Sequence, residues 1–81
     1  MKYYVLNIEI RDGENEYLTQ SPYQATTEMR AIVTAYHDYG VKKINRAEKW
    51  QEGENDYRLY RVRVSQEINR EEFDVIKKYI Y

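Results

Sequence analysis

At 81 residues, 42% of them hydrophobic, the chain has room for one domain with a small core. It contains no cysteine, which excludes disulfides and thiolate metal sites and leads one to expect a reducing compartment. The net charge of -1 hides a bias: residues 1–40 carry three basic side chains against six acidic ones, residues 41–81 ten against eight.

Tyr4, Leu6, Ile8 and Ile10 alternate with Tyr3, Val5, Asn7, Glu9 and Arg11, the period of a strand with one buried face. Asp12-Gly13-Glu14-Asn15 then supplies turn residues, and Glu16–Gln20 predicts a short return strand. Ser21-Pro22-Tyr23-Gln24 has the form of a helix start, with serine as N-cap, proline as first helical residue and glutamine completing a capping box. Ala25, Met29, Ile32, Val33 and Tyr36 follow at helical spacing, and Gly40 with Val41 predicts a Schellman ending.

Residues Ile44–Gln51 predict a third strand, with a bulge because Ile44, Ala47 and Trp50 break strict alternation. The first turn then returns: Asp12-Gly13-Glu14-Asn15-Glu16-Tyr17 is rewritten as Glu52-Gly53-Glu54-Asn55-Asp56-Tyr57. Tyr60, Val62 and Val64 alternate with Arg61 and Arg63 as a fourth strand. Asn69 and Glu72 make a capping box, Ile68 can staple onto Phe73, and Phe73, Ile76 and Ile80, with Val75 beside them, form the stripe of a final helix.

The predicted order is ββαββα, a single α+β domain over residues 1–81 built of units at about 1–40 and 41–81. Its four-stranded, mainly antiparallel sheet is expected to carry both helices on one face, a pseudo-twofold axis along the sheet normal relating the units. If Glu16–Gln20 is loop, the order becomes βαββα, a truncated ferredoxin-like arrangement.

No catalytic constellation emerges. His37 is the only histidine, and Asp38 beside it points elsewhere on a helix. The glycines at 13, 40 and 53 form no phosphate loop. The acidic turns carry oxygen ligands at alternate positions but lack the frame of a calcium loop, so they read as hairpin tips. No enzyme activity, cofactor or metal is therefore expected. No apolar run approaches the ~18 residues of a membrane span, and Met1-Lys2-Tyr3-Tyr4 does not open a signal peptide. A soluble cytoplasmic protein is expected.

Two binding readings remain. With Tyr4, Leu6 and Ile8 facing the helices, Tyr3, Val5, Tyr57, Leu59, Arg61 and Arg63 fall on the other face, a mix of aromatic, apolar and arginine side chains suited to a protein interface. The ten tyrosines fit that use, and equally fit half-buried strand positions. The expected function is a small regulatory or protein-interaction domain, binding a protein partner or a second copy through sheet face or edge. The alternative is a nucleic-acid module, in which Arg58, Arg61 and Arg63 with Trp50, Tyr57 and Tyr60 meet phosphates and bases.

Overall fold

The computed structural model describes residues 1–54 and 57–80, the last by its backbone alone. The elements are β1 (Lys2–Asp12), β2 (Asn15–Ala25), α1 (Glu28–Asp38), β3 (Gln51–Glu52), β4 (Leu59–Ile68) and α2 (Arg70–Ile80). They form an α+β fold in the expected ββαββα order, with one antiparallel four-stranded sheet arranged β2-β1-β4-β3.

That strand order removes the expected twofold relation. The first unit gives its first strand to the centre of the sheet and the second unit its last, so no rotation superposes them. The hexapeptides also differ in place. Asp12 pairs with Asn15 around a tight turn, whereas Glu52 pairs with Leu59 and Gly53 donates its N–H to the Arg58 carbonyl at 3.2 Å. Pairing of Ile8 with Val62 and Ile10 with Tyr60 sets where β4 begins, and this overrides the local turn signal. Asn55 and Asp56 lie outside the described residues.

β2 is longer than predicted. All eleven of its residues pair with β1, so Ser21 and Pro22 lie in the strand and Thr27 caps α1, its hydroxyl accepting the Arg30 N–H at 3.2 Å. Continuous pairing with β1 outweighs one helix-start signal when a second cap lies a few residues on. The end of α1 is as expected: Gly40 has φ 86°, and Val41 donates back to the Tyr36 carbonyl at 2.9 Å. The third strand shrinks to Gln51–Glu52, because the Gln51 side chain satisfies the preceding loop instead. It accepts the Asn45 N–H at 2.8 Å and donates to the carbonyls of Asn45 and Glu48.

The helices lie on opposite faces, not on one. Ala31, Ala35 and Tyr36 of α1 pack with Tyr4, Leu6, Ile8, Tyr60 and Val62. Phe73 and Ile76 of α2 pack with Tyr3, Val5 and Ile68, which alternate with that set and so point the other way. The run Tyr3–Leu6 is apolar at every position and supports a helix on each side. The capping box of α2 is formed, Glu72 N–H to Asn69 Oδ1 at 2.8 Å and Asn69 N–H to Glu72 Oε1 at 3.3 Å. Among the described residues no helix is long and apolar enough to cross a membrane.

Candidate functional site

The face turned away from α1 divides in two. At one end α2 covers Tyr3 and Val5, the Phe73 ring lying 4.8 Å from that of Tyr3. At the other end the ladder sets Glu9 between Leu18 and Arg61, and Arg11 between Glu16 and Leu59. Glu9 Oε2 accepts from Arg61 Nε at 3.0 Å and Nη2 at 2.6 Å, while Arg63 Nη2 takes Oε1. Partial burial pushes the Glu9 carboxyl up. The hydrogen bonds and charges of the two guanidinium groups outweigh this and hold it below the ordinary carboxylate value. Above them Trp50 stacks on both Arg11, 4.5 Å from ring centre to guanidinium carbon, and Arg61, at 5.1 Å.

Of the predicted partner residues, Tyr3, Val5, Leu59, Arg61 and Arg63 do share this face. Tyr3 and Val5 are spent on α2, Arg61 and Arg63 on Glu9, and Leu59 is half-buried. Tyr57 is fully exposed in the loop before β4, apart from the others. Arg58 stands 3.4 Å from Asp12. His37 is exposed, and Asp38 accepts the Tyr23 hydroxyl at 2.8 Å. Among the described residues no group of three histidine, aspartate or glutamate side chains is placed to hold a metal ion.

The edge of the sheet is built differently. Gly13, at φ 63°, begins a two-residue turn between paired Asp12 and Asn15, the form of a type II′ hairpin. The pair flanking such a turn exchanges both backbone hydrogen bonds, and the pattern alternates from there. Asn15, Tyr17, Thr19, Ser21 and Tyr23 therefore bond inward to β1. Glu16, Leu18, Gln20, Pro22 and Gln24 turn their backbone groups outward. Pro22, which has no N–H, sits where none is needed by β1. Leu18 is 64% exposed and Tyr17 54%.

Compared with known proteins, the chain matches no family model, no curated protein and no solved structure. The reading of the site thus stands on its chemistry. Leu18 and Tyr17 were missed in the sequence because Glu16–Gln20 is short of β-branched residues. The available signal was Pro22, two and four positions from Gln20 and Leu18, which marks the outward register of an edge strand.

Proposed function

We propose that this chain is a small, non-enzymatic protein-interaction domain of regulatory type, which binds a protein partner or a second copy of itself through the β2 edge. The observation that carries this reading is an eleven-residue strand paired along its whole length to β1, with outward backbone groups unbroken from Glu16 to Gln20 and two exposed side chains, Tyr17 and Leu18, beside them. An added strand would take hydrogen bonds from that backbone and specificity from alternate side chains. The sheet face supports it less, since α2 covers its apolar end. A nucleic-acid reading is weakened by the arginines of the second hairpin, each of which stands against a carboxylate: Arg58 at Asp12, Arg61 and Arg63 at Glu9. A cysteine-free chain fits the cytoplasm as the place of action.

Photocrosslinking tests the assignment. A benzophenone amino acid is placed at position 18 on the edge, and separately at position 63 on the face, in the full chain inside cells. The expected result is a discrete protein adduct from position 18 and none from position 63. Nucleic-acid adducts from position 63, with position 18 silent, would overturn the reading.

A further inference from the structure

We infer that two copies of the chain join through β2, antiparallel across a twofold axis at Leu18, so that two four-stranded sheets become one. This rests on the edge reading above and names its partner. The outward positions run Glu16, Leu18, Gln20, Pro22, Gln24, and Pro22 offers a carbonyl without an N–H. A second β2 must therefore dock on Glu16–Gln20. With the axis at Leu18, Leu18 faces its own copy and each Glu16 faces the other chain's Gln20, giving about six N–H···O bonds with no donor missing. With the axis at Thr19 or at Gln20 the bonds are not fewer, about six or eight, but Pro22 falls inside the new ladder, where its ring stands against the opposing carbonyl of Glu16 or Leu18 and the interior of a sheet does not accommodate it. With the axis at Tyr17, only Glu16 and Leu18 remain paired.

The side chains agree with that register. Exposed Leu18 meets Leu18, and Tyr17 meets Thr19, both favourable cross-strand pairs. Glu16 never faces its own copy, so like charges do not oppose. Gln20 gives one hydrogen of Nε2 to Asn7 Oδ1 at 2.7 Å and keeps its second for the opposing carboxylate. Leu18 also lines a groove with Val5, Pro22 and Ile76, so the apolar surface continues from the edge back under α2. The strand carries no lysine or arginine, and its register on β1 is unbroken by a bulge, so two common guards against edge pairing are absent.

Sedimentation equilibrium of the full chain tests the inference. The strip is narrower than a standard interface, so the mass should climb from 9.9 kDa toward about twice that value across the micromolar range. Leu18→Pro removes an outward N–H that β1 does not use, together with the leucine side chain at the axis, and should keep the circular dichroism spectrum while holding the chain monomeric at concentrations about tenfold higher. Leu18→Lys and Leu18→Glu should each be monomeric alone, and an equimolar mixture should restore the dimer, because position 18 faces itself across the axis. If Leu18→Pro fails to fold, that charge-swap pair decides. A wild-type chain monomeric throughout, a dimer that survives Leu18→Pro, or a mixture that stays monomeric would overturn the inference. A monomeric chain whose position 18 still crosslinks a different protein would retain the edge reading and reject the second copy as its occupant.

Discussion

The hydroxyl of Tyr36, on α1, accepts the backbone N–H of Val62, on β4, at 3.0 Å. β3 ends its pairing with β4 at Gln51 and Tyr60, so one step further along β4 the N–H of Val62 would be buried without a strand to meet it. A helix side chain takes the place of the missing strand, and the bond also fixes α1 against the sheet. Tyr36→Phe should therefore cost about 1–3 kcal/mol in denaturant melts, the penalty of a buried donor left unpaired. Exchange of the Val62 amide should quicken by more than that of Val64.

Glu9 gives the fold a pH dependence. Its carboxyl is held below the ordinary value by Arg61 and Arg63, so its contribution is complete above the unfolded carboxylate pKa and is lost as pH falls through the lower folded value. Glu9→Gln should lower stability at neutral pH by about 1–2 kcal/mol, discounted for the solvent that reaches Arg63. The difference between the two proteins should shrink below about pH 4. Urea melts from neutral to acid pH measure it; a constant gap would show that the ion pair contributes nothing.

Phe73 is the main side chain that holds α2 to the sheet, 6% exposed and packed against the Tyr3 ring at a tilt of 48°. Phe73→Ala should cost about 3–5 kcal/mol, a large share of the stability of so small a fold. Exchange of the Asn69 and Glu72 amides at the start of α2 should quicken with it. A near-neutral melt would mean that α2 is held by something other than this ring.

Gly13 tests the hairpin that sets the β2 register. An added Cβ would meet nothing within 4 Å, so the cost of Gly13→Ala is one of backbone conformation at φ 63° and not of crowding. About 1 kcal/mol or more is expected. If thermal melts show no loss, the turn adopts another form in solution.

Gln51 closes the loop ahead of the last hairpin. It is 5% exposed and makes three hydrogen bonds to the backbone of Asn45 and Glu48. Gln51→Leu keeps the bulk and removes every bond, and should cost about 1–3 kcal/mol. Proteolysis within residues 43–50 should then quicken before the sheet unfolds, which limited digestion followed by mass spectrometry would show.

The local order of elements was legible in the chain because it depends on neighbours in sequence. Alternation along Tyr4–Ile10 made β1, Asn69 and Glu72 capped α2, and Gly40 with Val41 closed α1, each through contacts a few residues apart. Even the second helix-bearing face left a trace, in the unbroken apolar run Tyr3–Leu6. What the tertiary structure alone decided was every choice between distant partners. The pairing of β1 with β4 placed Glu9 opposite Arg61, brought Trp50 over Arg11 and Arg61, and put Tyr3 and Val5 under α2. It also made β2 an edge strand, so Leu18 stands at the rim. Strand order and register are settled by the fit of whole faces across the sheet, and no short stretch of sequence contains that information.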